Sequence, residues 1–133
     1  MIDVALQNEI ISFAQDIIRI NSPSGEEEGA ARLIQQKMEA LNYDDVHVDC
    51  VGNVIASRKG KHAGPVVLFD GHMDVVSAAN PEQWQSDPFS AEIMDGKIWG
   101  RGATDMKGPL AAAIIALGRI PAKKWLCQAS ILY

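Results

Sequence analysis

Residues 66–76 read Val-Val-Leu-Phe-Asp-Gly-His-Met-Asp-Val-Val, and no other stretch of the chain says more about its chemistry. Its first four residues are apolar and two of them are β-branched, which predicts a strand buried on both faces. His72 and Asp74 follow that strand with one residue between them, so in extended backbone their side chains point to the same side. A metal-binding histidine is commonly held in this way, with one ring nitrogen on the ion and the other bonded to an acid. Taken alone, the pattern favours a loop histidine capped by an aspartate.

Two amphipathic helices are predicted before this strand. Apolar residues recur at spacings of three and four between residues 6 and 20, and a second apolar stripe runs from residue 30 to residue 41. Between the two stripes, Ser24 and Glu27 form a capping-box pattern. This pattern predicts that the Ser24 side chain caps the second helix.

The remaining elements are predicted from turn residues and periodicity. Gly52-Asn53 and Asp95-Gly96 each separate two short strand-like segments, as in β-hairpins. A third helix follows Pro109, which is tolerated in a first helical turn, and residues 125–133 read as a last strand. The order helix, helix, hairpin, strand, hairpin, helix, strand predicts an α/β fold in which helices flank a mixed β-sheet.

Composition narrows the class of protein. The chain has 133 residues, which fits one domain, and a formal net charge of -5, which argues against nucleic-acid and anionic-membrane partners. The N-terminus shows no signal-peptide pattern, and the longest apolar run, residues 109–117, is too short to span a bilayer. Cys50 and Cys127 are predicted to be buried free thiols. These features lead us to expect a cytoplasmic protein.

A glycine loop at residues 100–108 provides a second motif. It reads Gly-Arg-Gly-Ala-Thr-Asp-Met-Lys-Gly and resembles a dinucleotide-binding fingerprint, but an acid, Asp105, replaces the third glycine. The loop also follows a short hairpin strand, and we therefore reject nucleotide binding. The glycines allow the backbone to bend closely, so that Asp105 can enter a crowded site just before a helix. Taken alone, a helix cap at Thr104 with Asp105 as a first-turn acid is the favoured interpretation.

Together, the His72–Asp74 stretch and the glycine loop resemble the zinc-dependent aminoacylase and carboxypeptidase family. This family includes acetylornithine deacetylase, succinyl-diaminopimelate desuccinylase and carboxypeptidase G. The resemblance extends through essentially all 133 residues, including the loop from Trp84 to Phe89. It implies that residues 1–133 are the N-terminal portion of a zinc-exopeptidase-like catalytic domain.

The resemblance also implies a site and a reaction. His72 would bind one zinc ion and Asp105 would bridge two zinc ions. Asp74, the one catalytic residue expected besides these ligands, would orient His72, and cobalt would be able to replace zinc. The expected reaction is hydrolysis of an amide bond in an N-acyl amino acid or small peptide by metal-activated water. The full-length protein is expected to be a homodimer.

The sequence departs from the family pattern at its end. In the family, the strand after the third helix leads to a pair of adjacent glutamates, which supply the general base and a metal ligand, and an inserted lid domain follows later. Residues 1–133 stop before any such pair, and the adjacent glutamates at 26–28 cannot substitute because they lie at an earlier helix start. We therefore expect a truncated catalytic domain that alone binds zinc weakly and hydrolyses nothing. Its open sheet edges are expected to favour association.

Two other interpretations remain open at the level of sequence. The first is a non-catalytic interaction module or pseudoenzyme that retains the half-domain fold. The second is an unrelated mononuclear metal hydrolase, which requires ligands that this sequence does not offer.

Overall fold

The described part of the chain folds into three α-helices and six strands in the order expected from the sequence. The structure is a computed structural model that describes residues 3–62, 64–121 and 129–132. The elements are α1 (Val4–Ile18), α2 (Glu28–Ala40), β1 (Asp45–Val48), β2 (Val54–Arg58), β3 (Val67–Asp70), β4 (Ile93–Met94), β5 (Lys97–Ile98), α3 (Gly108–Arg119) and β6 (Ala129–Leu132). The earlier part of the predicted last strand, with Cys127, lies outside the described residues.

Four of the strands form one sheet in the order β1-β2-β6-β3. The pairs β1–β2 and β2–β6 are antiparallel, whereas β3 and β6 are parallel. The predicted α/β fold with a mixed sheet is therefore confirmed. Strands β4 and β5 form a separate hairpin, in which Asp95 and Gly96 have φ angles of 52° and 73°. Positive φ at both turn positions is typical of the tight hairpin turn that the sequence predicts.

The hydrophobic core lies among the helices and the β1–β2 side of the sheet. Helix α1 packs against α3, and α2 packs against β1 and β2. The apolar stripes of the helices supply most of the completely buried large side chains, which include Phe13, Ile17, Ile34, Met38, Leu110, Ile114 and Ile115. The helices are thus held by the amphipathic faces predicted from their periodicity.

Strand β3 is exposed, and the prediction that it is buried on both faces is wrong. Val66, Val67, Leu68 and Phe69 have exposed fractions of 54%, 45%, 59% and 38%. The strand lies at one end of the sheet, and helix α2 packs against β1 and β2 at the opposite end. An apolar run identifies a segment suited to burial, but the elements that would cover it are not among the described residues.

The prediction that Cys50 is buried is also wrong, because β1 ends before it. The Asp49 carboxylate accepts hydrogen bonds from the backbone N–H groups of Val51 and Asn53, at 3.0 and 2.9 Å. These bonds turn the chain immediately after β1 and leave Cys50 as an exposed free thiol in the turn. An aspartate that bonds its own following backbone is a common turn former.

Replacement of Leu68 by lysine is expected to reduce self-association of the chain. Leu68 is the most exposed apolar residue of strand β3, and a charged residue on an edge strand opposes pairing with another chain. Sedimentation velocity over a range of concentrations measures the effect. Val51→Lys is the control, since Val51 is exposed in the β1–β2 turn, away from β3. Equal association of the two variants would contradict the prediction.

Candidate functional site

The structure brings together the three residues that the sequence singles out. His72 and Asp74 lie in the loop after β3, and Asp105 lies in the turn before α3. Nδ1 of His72 is 2.9 Å from Oδ1 of Asp74, and Nε2 of His72 is 3.0 Å from Oδ1 of Asp105. The backbone N–H of His72 also donates to Sδ of Met106, at 3.4 Å. The imidazole is thus held between two carboxylates that lie 31 positions apart in the sequence.

The turn that carries Asp105 is irregular. Residues Ala103–Lys107 form one distorted helical turn, and the Asp105–Met106 peptide bond is cis. Helix α3 begins only at Gly108, without a capping hydrogen bond from a side chain. The alternative interpretation, a helix cap at Thr104 with Asp105 as a first-turn acid, is therefore wrong. Asp105 instead projects from the surface with 86% of its side chain exposed.

Two glycines allow this turn to lie close to its neighbours. Gly102 has a φ angle of 77°, and a Cβ atom there would lie 2.5 Å from Cγ1 of Val75. A Cβ atom at Gly100 would lie 2.5 Å from Cγ2 of Ile18. A side chain at either position would push the turn away from α1 and from the His72 loop. The close approach expected from the glycine spacing is present.

The connection between α1 and α2 supports the His72 loop. Ser22 Oγ donates to the carbonyl oxygen of Met73 at 2.8 Å, and the N–H of Val75 donates to the carbonyl oxygen of Ser22 at 2.9 Å. Ser24 Oγ donates to Oδ2 of Asp74. The predicted capping box at Ser24 is therefore wrong: its hydroxyl is directed to a carboxylate fifty positions away, and no side chain caps α2.

The hydrogen bonds of the site shift the ionisation of its members. Partial burial lowers the pKa of His72, but the bonds to Asp105 and Asp74 outweigh this effect, and the net pKa is raised. The pKa of Asp74 is lowered, because the Ser24 hydroxyl and then His72 stabilise the carboxylate against the opposing effect of burial. The two pKa shifts therefore favour the ionised form of the Asp74 carboxylate beside His72.

Lys107 is a member of this region that the sequence does not reveal. Its side chain is completely buried, and Nζ donates to the carbonyl oxygen of Ile20 at 2.6 Å. Burial lowers the pKa of Lys107 to about 8, although the charge of Asp74 opposes the shift. The only sequence signal is a lysine at the start of an otherwise apolar helix, and that position is equally compatible with a solvated side chain.

Two clefts meet at His72 and Asp74. The larger, about 570 Å³, runs between α2 and the β1–β2 turn, and the smaller, about 320 Å³, is lined by the glycine loop. The guanidinium of Arg101 lines the smaller cleft and lies over the ring of Trp84, 4.9 Å from its centroid. Nε of Arg101 is buried and has no hydrogen-bond partner within the described part of the chain.

The donor atoms fit a metal ion in type and spacing but not in number. Two ligand atoms on a tetrahedral zinc ion lie roughly 3.3 Å apart, which is close to the separation of His72 Nε2 and Asp105 Oδ1. Residues 3–62, 64–121 and 129–132 contain no group of three or more His, Cys, Asp or Glu side chains placed to bind a metal ion. Two such residues are fewer than the three or four protein ligands that a zinc site uses.

Comparison with known proteins finds one matching family model and a similar enzyme. The model of the peptidase family M20/M25/M40 matches residues 68–132. Succinyl-diaminopimelate desuccinylase from Thioalkalivibrio sulfidiphilus is 38% identical over 111 residues, which cover 82% of this chain and 29% of that enzyme. None of the helices in the described ranges is long and apolar enough to cross a membrane.

Solved structures share the fold. Human carnosine dipeptidase 1 matches 96% of this chain with 32% of its own length, at a TM-score of 0.78 and 25% identity. A Bacillus subtilis protein, a dinuclear metal binding peptidase from the M20 family, matches 99% of this chain with 36% of its own length, at a TM-score of 0.70 and 20% identity.

The chain thus spans about a third of the length of each of these three proteins. The matched region contains both stretches from which the family resemblance is predicted, and that prediction is confirmed. Over residues 68–132 this chain matches the peptidase family M20/M25/M40.

Proposed function

We propose that residues 1–133 are the N-terminal part of the catalytic domain of a dinuclear zinc amidohydrolase. Its substrate would be an N-acyl amino acid or a small peptide. The observation that carries this proposal is the convergence of His72 Nε2 and Asp105 Oδ1, with Asp74 behind the imidazole. The names of the desuccinylase and dipeptidase relatives support the substrate class.

Each of the three residues would have a separate role. Asp74 holds the proton on Nδ1 of His72, which leaves the Nε2 lone pair free to bind a cation. Asp105 has two carboxylate oxygens and is therefore able to bind two cations. The metal ions, when bound, would polarise the amide carbonyl and lower the pKa of a water molecule. A dinuclear metal site in the related Bacillus subtilis peptidase supports this arrangement.

The register of the sheet is compatible with further ligands from a longer chain. Strands β3 and β6 are parallel, and Asp70 lies opposite Leu132. A chain that continues from β6 in the same direction would therefore arrive beside Gly71 and His72. The pair of glutamates implied by the family resemblance would then enter the site within a few residues of the strand.

Residues 1–133 alone are expected to bind zinc weakly and to show no hydrolysis of N-acyl amino acids. Two protein ligands are too few for a stable zinc site, which uses three or four. Metal analysis after dialysis, together with an amidase assay, measures both properties. His72→Ala is expected to remove the residual zinc binding. His47→Ala is the matched control, because His47 is an exposed histidine whose Nδ1 lies 3.4 Å from the Asp45 carboxylate.

Stoichiometric zinc retained through dialysis, together with substrate turnover by the 133-residue chain, would contradict the proposal that these residues supply only part of the metal site. The DNA that follows codon 133 provides an independent test. An open reading frame there, in frame or after a single frameshift, is expected to encode two adjacent glutamates soon after β6.

A further inference from the structure

The connection between α1 and α2 contacts both halves of the candidate site. Its Ser24 hydroxyl donates to Asp74, beside His72. Its Ile20 carbonyl accepts a hydrogen bond from Lys107, two positions after Asp105. The site is therefore built on a segment that precedes both of the motifs that carry its chemistry.

We infer that Ser24 is a positioning residue that acts through Asp74 on His72, an inference that rests on the proposed function. The two oxygens of the Asp74 carboxylate have different partners: Oδ1 faces Nδ1 of His72 and Oδ2 accepts from Ser24. The carboxylate torsion of aspartate is intrinsically broad. A second hydrogen bond on Oδ2 restricts that torsion and keeps Oδ1 directed at the imidazole.

The position of Ser24 is set by the backbone rather than by its own hydroxyl. Ser22 is completely buried and bonds the main chain of residues 73 and 75, and Pro23 forms a parallel bridge with Val75. The Ser24 side chain, in contrast, is exposed and makes no capping bond to α2. Loss of the hydroxyl is therefore expected to free the Asp74 carboxylate without unfolding the connection.

The first test is metal-free and follows the ring protons of His72 by NMR. In the wild-type chain, the Nδ1–H proton is expected to exchange slowly with solvent, because Asp74 holds it. Ser24→Ala is expected to increase its exchange rate roughly tenfold. Ser24→Val and Ser24→Thr form an isosteric pair: only the valine variant is expected to behave like the alanine variant. Ser90→Ala removes a hydroxyl that bonds the Asp87 carbonyl instead and is expected to have no effect.

The second test is a double-mutant cycle on zinc affinity. Ser24→Ala is expected to weaken zinc binding by roughly 3- to 10-fold, less than the 10- to 100-fold typical of a direct partner of a ligand. In an Asp74→Ala background, the same change is expected to have no further effect. Equal losses in both backgrounds would overturn the inference.

The two tests separate the inference from the proposed function. If zinc binding is unaffected by His72→Ala, the proposed metal role of His72 fails, and the proton exchange still decides whether Ser24 positions Asp74. If the exchange rate is the same in the threonine and valine variants, Ser24 is not a positioning residue, whatever the zinc affinity. Thermal unfolding of each variant shows whether the fold is retained.

Discussion

Replacement of Gly102 by alanine is expected to lower the free energy of unfolding by about 3 kcal/mol. Two effects combine at this position. The φ angle of 77° disfavours any residue with a Cβ atom, and that atom would lie 2.5 Å from Cγ1 of Val75. Val75 is buried and its N–H is bonded to Ser22, so it is not free to move aside. Urea denaturation of the purified variant measures the loss.

Gly52→Ala is the matched control for this prediction. Gly52 also has a positive φ angle, 98°, but no atom lies within 4 Å of a Cβ added there. Its replacement by alanine is expected to lower the free energy of unfolding by about 1 kcal/mol, because only the positive φ angle opposes the added Cβ atom. If both variants lose the same stability, close packing of the glycine loop on Val75 is not energetically important.

The stability of the metal-free chain is expected to rise between pH 8 and pH 10.5 because of Lys107. Its pKa is lowered from 10.5 to about 8 in the folded protein. In this interval the unfolded chain binds the proton and the folded chain does not, so raising the pH favours the folded state. The full difference corresponds to roughly 3 kcal/mol. Denaturation midpoints measured across the interval, in the presence of a chelator, test the expectation.

Lys107→Met is expected to remove most of this pH dependence, because methionine fills a similar volume and does not titrate. Lys59→Met is the control, since Lys59 is exposed. The control should keep the wild-type slope. A slope that survives in Lys107→Met would show that the buried ammonium group is not its source.

Local sequence patterns predicted the helices and turns that depend on residues close together in the chain. The α1 and α2 helices follow from apolar periodicity, and the β4–β5 turn follows from Asp95-Gly96, which tolerates positive φ. Pro109 lies in the first turn of α3, where its missing N–H has no cost. The pairing of His72 with Asp74 was also predictable, because two residues separated by one position share a side of an extended chain.

Features that depend on distant partners were not predictable in this way. The Ser24 hydroxyl had a local partner in the capping-box pattern, yet it bonds Asp74. Strand β3 has the composition of a buried strand, but burial depends on which elements cover it. Burial of Lys107 likewise depends on α1 and the following connection. In each case, the deciding neighbour is far away in the sequence.

The central position of β6 in the sheet has a consequence for the order in which the protein folds during synthesis. Strand β3 pairs with β6 and with no other strand in the described ranges, although about sixty residues separate the two in the chain. The helices and the β1–β2 hairpin have partners that precede β6, although β2 also pairs with β6, whereas β3 must wait for its strand partner until residues 129–132 have left the ribosome. Strand β3 therefore gains its sheet pairing among the last events of folding, and until then the loop that carries His72 is held by its hydrogen bonds to Ser22 and Ser24.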